Sequence, residues 1–117
     1  FCLITMNHHP IHIDKIFDEK SKFKKRLVVG TYVFSLVVGM TVRDISGKAI
    51  ANLNYEKVNH HNPVYIGDTI SSYSIIEKKE VSKSNNKNAK IKIMTIANNQ
   101  KKQKVLSFQR TILIKKK

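Results

Sequence analysis

Five side chains that can form hydrogen bonds or exchange protons fall close together near the start of the chain. They are Asn7, His8, His9, His12 and Asp14. The ordinary pKa of histidine lies near neutrality, so an imidazole can take a proton from water and return it to a product. The same residue types also bind metal ions. Because adjacent side chains of an extended segment point to opposite faces, His8 and His9 would not share a metal, and we expect no metal site.

Proline and aspartate set the local structure around these side chains. Pro10 disfavours helix at His9, which predicts an extended loop or strand end over residues 1–13. Asp14 then stands at an N-cap position, before a short basic helix expected over residues 15–25. The predicted apolar stripe of that helix consists of Ile16, Phe17 and Phe23.

The most apolar part of the chain predicts a buried helix. Residues 27–30 (LVVG) are expected to form a tight turn that leads into the helix, and the helix itself is expected over residues 31–42. Its β-branched residues would also suit a strand, but the segment is long for one. Apolar side chains occur nearly all round this helix, which indicates burial on most sides. Residues 27–42 are fewer than the roughly 20 apolar residues of a membrane span, and they begin too late for a signal peptide.

The remainder of the chain predicts four antiparallel strands. They are expected over residues 49–59, 69–81, 89–97 and 105–114. In the third strand Ile91 and Ile93 alternate with lysines, so the isoleucines lie on one face of the strand and the lysines on the other. The polar stretches 82–88 and 98–103 predict turns between the last three strands. The apolar face of the last strand is predicted to contain Leu106, Phe108, Ile112 and Ile114.

A helix that is apolar on most sides requires a sheet that curves around it. One such helix followed by about four strands predicts an α+β protein with the hot-dog fold, a curved antiparallel sheet wrapped around a central apolar helix. The length of 117 residues suits one domain. We therefore expect residues 1–117 to form a single hot-dog domain. Because the sequence opens at Phe1, we also expect it to lack some N-terminal residues.

Composition restricts the partners. Cys2 is the lone cysteine, which excludes a disulfide framework and a zinc site built on paired cysteines. The net charge is +14, but 19 of the 22 basic residues are lysines, as AT-rich codons would give. No zinc finger or RNA-recognition motif is found, so we expect no nucleic acid partner. Residues 71–117 carry +11 of the net charge, which raises the local concentration of anionic ligands.

Five segments, in order along the chain, resemble the MaoC-like (R)-specific enoyl-CoA hydratase family. Residues 5–14 (TMNHHPIHID) resemble its hydratase signature, residues 27–30 its glycine turn before the central helix, and residues 63–69 (PVYIGDT) the start of a strand. Two shorter matches follow at residues 97–100 (ANNQ) and 110–114 (RTILI). The Thr-Met-Asn-x-x-Pro-x-His form, with residues 51–55 (ANLNY), is most similar to the branch that hydrates branched dicarboxylic enoyl-CoAs, such as mesaconyl-CoA (2-methylfumaryl-CoA) or itaconyl-CoA.

The resemblance implies a hydro-lyase of the enoyl-CoA hydratase type, which adds water reversibly to a 2-enoyl-CoA thioester. His12 matches the histidine that acts as general base and acid, and the Gly30 N–H would donate to the thioester oxygen at a helix start. Asn7 stands where the family has a catalytic aspartate. A carboxamide is no base, so Asn7 would hold the water or the thioester by hydrogen bonds. Either His12 works alone, or another carboxylate takes part, or activity is lost.

The resemblance also implies the remaining contacts and partners. His9, Val29 and Thr31 are expected to bind the acyl-CoA substrate; coenzyme A is part of that substrate, so no separate cofactor is expected. A homodimer or a higher assembly of dimers is implied. The cytoplasm, and the absence of a membrane partner, are expected because the sequence shows no signal peptide and no membrane span. Two other functions stay open, namely a hot-dog acyl-CoA thioesterase and a non-catalytic acyl-CoA-binding module.

Overall fold

The computed structural model describes residues 1–81, 83 and 86–116. Its four strands form one antiparallel sheet in the order β1-β4-β3-β2, which confirms the four predicted strands. Of the turn predicted over residues 82–88, Ser82, Ser84 and Asn85 lie outside the described residues. The elements in chain order are α1 (Pro10–Ile13), α2 (Lys15–Lys20), α3 (Gly30–Met40), a π-helical turn (Val42–Ser46), β1 (Ala51–His60), β2 (Ser71–Val81), β3 (Asn88–Asn98) and β4 (Lys104–Lys115).

The two central strands, β3 and β4, carry most of the core. Their side chains alternate between two faces, and Ile93, Ala97 and Phe108 on the inner face are at most 1% exposed. Helix α3 lies on this face, where Val33 and Val37 belong to the same apolar cluster as Phe108. Full burial of an apolar side chain of this size contributes about 1.5–3 kcal/mol. The inward helix and the sheet thus confirm the predicted hot-dog architecture.

The turn between β3 and β4 is built by one side chain. Asn99 Oδ1 accepts hydrogen bonds from the backbone N–H groups of Lys101 and Gln103, at 2.9 and 3.0 Å. Lys102 has a φ of 61°, in the left-handed region, which closes the turn. The polar turn predicted over residues 98–103 is therefore confirmed.

Helix α3 is covered on one side only. Val33 and Val37 are buried against the sheet, but Tyr32 and Leu36 are each 42% exposed and Met40 is 38% exposed. The prediction that the helix is buried on most sides is wrong for this chain, because its one sheet covers a single face of the helix. An apolar surface remains on the other side. No helix among the described residues is long and apolar enough to cross a membrane.

Helix α2 is shorter than the sequence predicts, and the side chain that it buries is polar. Asp14 caps it as expected, since its Oδ1 accepts from the Ile16 and Phe17 N–H groups at 3.0 and 3.2 Å. The helix ends at Lys20, because Ser21 is extended, with φ −81° and ψ 166°. Ile16 and Phe17 are 67% and 41% exposed, whereas Asp18 is 1% exposed. The predicted extent to residue 25 and the predicted buried apolar stripe are both wrong.

The sequence predicts an extended segment over residues 1–13, and this prediction is wrong. Residues 2–6 form turns, and the α1 helix begins at Pro10, whose fixed φ suits a first helical position. His9 itself is non-helical, with φ −59° and ψ 127°, as expected before proline. Pro10 therefore starts a helical turn that carries His12.

Candidate active site

Two hydrogen bonds join α1 to the segment before α3, and one of them holds the His12 ring. The Leu27 N–H donates to the Ile11 carbonyl at 3.2 Å, and His12 Nδ1 lies 2.9 Å from the Leu27 carbonyl oxygen. Since a carbonyl only accepts, Nδ1 must carry the proton in this bond. In the neutral ring the lone pair is then on Nε2, which is the form a general base requires.

His9 fixes the start of the same helical turn. Its Nδ1 accepts from the Ile11 N–H at 3.2 Å, and its ring lies 6.0 Å from the His12 ring, centroid to centroid. Its ring also meets Phe17 edge to face, with centroids 6.2 Å apart. His9, predicted as a substrate contact, is thus placed here as the N-cap of the helix that carries His12.

Helix α3 begins beside this ring. Val29 is its N-cap and supplies no side-chain cap hydrogen bond, and Gly30 is the first helical residue. The first N–H groups of a helix have no partner within it and lie at the positive end of the helix dipole. Gly30 has no Cβ, so its N–H can be approached closely by another group.

His12 and Gly30 line one cavity of about 310 Å³, together with Val28, Val33 and residues 60–64. His12 also lines a second cavity of about 290 Å³, which Val29 and Tyr32 share. Both cavities combine apolar walls with an imidazole. Such a site can hold an acyl group, exclude bulk water from it and move a proton at one position.

His60 and His61, to which the sequence assigned no role, line the cavity of His12 and Gly30. An ideal Cβ on residue 30 would lie 3.2 Å from Cε1 and from Nε2 of His60. His61 Nε2 lies 2.7 Å from Ser107 Oγ, which ties it to β4. His60, the last residue of β1, and His61, which follows it, are both solvent-exposed. The sequence signal that could have pointed to these two histidines is their position before the Asn62-Pro63 turn.

The other predicted site residues are more dispersed. Asn7 is half-buried, its Oδ1 accepts from the His9 N–H at 3.5 Å, and it is not among the described residues that line either cavity. Val29 is 7% exposed and lines the second cavity. Thr31 is exposed and lies outside both cavity linings. The structure thus brings together His12, Gly30 and Val29.

The turn after the cavity is fixed by Asp68. Its Oδ2 accepts from the Tyr65 N–H and its Oδ1 from Gln100 Nε2, both at 2.9 Å. The backbone hydrogen bond from Tyr65 lowers the pKa of this carboxyl; burial opposes the shift, and Gln100, Lys25 and Lys101 add to it. Gly67 has φ 97°, which favours glycine. The segment 63–69 singled out in the sequence is therefore a structural turn that holds the cavity wall.

Several side chains around His12 are of types that bind metal ions. Within the part of the chain that the structure describes, no group of three or more His, Cys, Asp or Glu residues could hold a metal ion.

Fold and site together define a hot-dog domain in which an imidazole and a glycine-led helix start share a cavity. The profile of the family described as "MaoC like domain" matches residues 1–99. The chain belongs to this MaoC-like family.

Individual relatives agree with this assignment. The chain is 39% identical over 85 residues to the mesaconyl-CoA hydratase of Cereibacter sphaeroides, covering 72% of this chain and 24% of the relative. It is 36% identical over 88 residues to the beta-methylmalyl-CoA dehydratase of Chloroflexus aurantiacus, covering 73% and 24%. It therefore spans about a quarter of the length of these curated relatives. The X-ray structure of the monoamine oxidase regulatory protein from Archaeoglobus fulgius is similar with a TM-score of 0.88 and 28% identity, over 100% of this chain and 78% of that one.

Proposed function

We propose that this domain adds water reversibly to the double bond of a 2-enoyl-CoA thioester. The observation that carries the proposal is that His12 and Gly30 line one cavity, with His12 Nδ1 bound to the Leu27 carbonyl. In this proposal Nε2 of His12 is the proton acceptor and the N–H of Gly30 is the donor to the thioester oxygen. Both groups are those that hydration of a thioester requires.

In the proposed reaction, Nε2 of His12 removes a proton from water as the water oxygen bonds to C3. The C2=C3 electron pair moves toward the thioester carbonyl, and the N–H of Gly30 stabilises the negative charge on its oxygen. The imidazolium of His12 then returns the proton to C2. Because one group takes and returns the proton, both additions occur on the same face, which gives syn addition.

A branched dicarboxylic acyl group is the substrate we propose within this class. Support comes from the names of the mesaconyl-CoA hydratase and beta-methylmalyl-CoA dehydratase relatives. The Thr5-Met6-Asn7 form of the signature supports the same branch.

The role of Asn7 as a positioner of water or thioester stays a prediction. Its Oδ1 contact to the His9 N–H links it to the cap of α1, five residues before His12. If the amide acts only through this loop, Asn7→Asp will leave the hydration rate within a few-fold of the wild type. A large gain in rate would instead identify a site that has lost its carboxylate.

We also propose that two copies of the chain associate through α3. Tyr32, Leu36 and Met40 leave an apolar surface on the side of the helix that faces away from the sheet. A second copy presents the same residues, so a two-fold contact would pair like with like and bury both faces.

A spectrophotometric screen of short, branched and dicarboxylic enoyl-CoAs tests the reaction. We expect loss of enoyl absorbance without release of free thiol, and fastest turnover with mesaconyl-CoA. Release of free CoA would identify a thioesterase instead. Tight acyl-CoA binding with no turnover of any substrate would identify a non-catalytic binding module.

A further inference from the structure

A strongly basic surface lies beside the cavity of His12 and takes no part in the chemistry proposed above. It lines a cavity of about 360 Å³ with four cationic side chains and one aromatic ring. The Nζ of Lys25 lies 5.6 Å from the centroid of the Tyr65 ring, which holds the ammonium at this wall. We call this surface the basic trough, and it consists of Lys15, Lys24, Lys25, Arg26 and Tyr65.

The backbone after α2 brings these cations together. The Lys24 N–H donates to the Ser21 carbonyl at 3.2 Å, and Lys24 has a φ of 57°, which turns the chain at this point. Nε of Arg26 lies 3.4 Å from Oδ2 of Asp18, whose side chain is 1% exposed. Asp18 and Glu19 are the acids of this lining, against four cations. The excess of positive charge favours an anionic ligand.

The basic trough lies next to the second cavity of His12. Ile66 lines both that cavity and the cavity of the trough. On its other side, Lys25 and Tyr65 also line a polar cavity of about 340 Å³ that includes Lys101. An anion bound in the trough would therefore adjoin whatever occupies the site beside His12.

We propose that the basic trough binds the 3′-phosphate and diphosphate groups of the coenzyme A portion of the substrate, an inference that rests on the proposed function. Coenzyme A carries its thioester at one end of a flexible pantetheine arm and its phosphates at the other. Such a ligand needs an apolar cavity and a cationic surface side by side. The cavities of His12 and the basic trough supply the two.

The location of the trough does not follow from lysine-rich composition. Most of the net charge lies in residues 71–117, whereas the four cations of the trough come from residues 15–26. The fold therefore concentrates a minority of the basic residues next to the cavity. Codon bias alone would not predict a cluster of cations next to the cavity.

The test uses the whole chain with Lys24→Gln and Lys25→Gln combined, which removes two charges from the trough. Arg26 is left unchanged, because its loss would leave the buried Asp18 carboxylate without a cation. The matched control combines Lys79→Gln and Lys90→Gln, two exposed lysines on β2 and β3. Calorimetry measures the binding of free CoA and of pantetheine, and kinetics compare an enoyl-CoA with the corresponding enoyl-pantetheine.

The trough variant is expected to weaken CoA binding by about three- to tenfold, since exposed ion pairs are individually weak. Its KM for the enoyl-CoA should rise by the same factor with kcat unchanged, while KM for the enoyl-pantetheine stays constant. Added salt should weaken CoA binding more in the wild type than in the variant. The control variant should match the wild type throughout.

Unchanged CoA binding in the trough variant would overturn the proposal, as would an equal rise in KM for both substrates, or equal weakening in the control. A wild-type chain that does not bind CoA overturns it as well. Because CoA binding is measured without turnover, the experiment tests the phosphate-binding role of the trough independently of the proposed hydration reaction. Dependence of CoA binding on Lys24 and Lys25 without any hydration would support the trough and reject the reaction.

Discussion

The imidazole of His60 lies against Gly30, so close that an ideal Cβ on residue 30 would be 3.2 Å from both Cε1 and Nε2 of the ring. The contact joins the end of β1 to the first residue of α3, across the cavity that His12 also lines. A glycine at the helix start thus serves two purposes. It leaves room for the His60 ring, and its backbone N–H is the donor that we propose for the thioester oxygen.

Gly30→Ala is expected to lower the hydration rate by at least tenfold with little change in stability. The added methyl group must displace the exposed His60 ring by a few tenths of an ångström, which alters the space beside the N–H. Alanine is also the better helix former, worth up to about 1 kcal/mol in favour of folding. Steady-state kinetics and thermal unfolding of the same preparation measure both effects.

Combining Gly30→Ala with His60→Ala provides the control, because the smaller side chain at residue 60 removes the contact. If the double variant is faster than Gly30→Ala alone, the crowding of the cavity is the cause. Wild-type rates in Gly30→Ala would show that the space beside this N–H plays no part in turnover.

Replacement of His12 by asparagine separates its positioning bond from its base. The amide nitrogen of asparagine can take the place of Nδ1 and donate to the Leu27 carbonyl, which the ring does at 2.9 Å. It has no equivalent of Nε2, so the hydration rate should fall by at least about 10²-fold. Thermal unfolding should change little, whereas His12→Ala should lose about 0.5–1.5 kcal/mol as well.

The comparison with His12→Gln decides the assignment. Glutamine places its amide near the position of Nε2 but cannot accept a proton from water as an imidazole does. Both amide variants should therefore be equally slow. A rate within tenfold of the wild type in either one would exclude His12 as the base.

The four strands and the central helix could be predicted because their signals are local. Alternation placed Ile91 and Ile93 on the inner face, and both are buried. The same alternation places Arg110 on the inner face with Phe108 and Ile112, where it is 1% exposed, but it does not reveal the partner of the guanidinium. Its Nη2 donates to Thr41 Oγ1 at 2.7 Å at the end of α3, a partner 69 residues away. A buried charge of this kind depends on a contact that periodicity does not encode.

The candidate site was predictable only in part, for the same reason. His12 and Gly30 were singled out because each belongs to a short segment, residues 5–14 and residues 27–30, that resembles the family. His60 reaches the cavity only because β1 ends beside α3, which is a consequence of the tertiary fold. Nothing in the local helix pattern marks Asp18 as buried, yet it is 1% exposed and forms an ion pair with Arg26.

The apolar surface on α3 predicts association that one charge should disrupt. Leu36 is 42% exposed at the middle of the helix, and Leu36→Glu would place like charges opposite each other in a two-fold contact. A central interface residue is worth about 2 kcal/mol, so the dissociation constant should rise by at least about 30-fold. Light scattering after size exclusion measures the mass over a dilution series.

Val81→Glu is the matched control for this variant, because Val81 is 48% exposed at the end of β2, away from α3. It should leave the mass distribution unchanged. A wild-type chain that stays monomeric at high concentration, or equal loss of association in both variants, would contradict a contact through α3.

Asp68 predicts a stability that is lost in acid. The Tyr65 N–H is the main cause that lowers the pKa of this carboxyl, with Gln100, Lys25 and Lys101 in support against a burial effect that raises it. Because the folded-state pKa is below the unfolded one, the contribution is complete above the unfolded value of about 4 and disappears as pH falls through the folded value. Asp68→Asn should lower the free energy of unfolding by up to about 1 kcal/mol at neutral pH, since the carboxylate is partly exposed.

Denaturant unfolding from pH 7 downward should show the difference between Asp68→Asn and the wild type shrink below a pH of about 4. The control is Asp44→Asn, at an exposed carboxylate, which should follow the wild type at every pH. A difference that stays constant into acid would mean that the ionised form of Asp68 does not stabilise the turn.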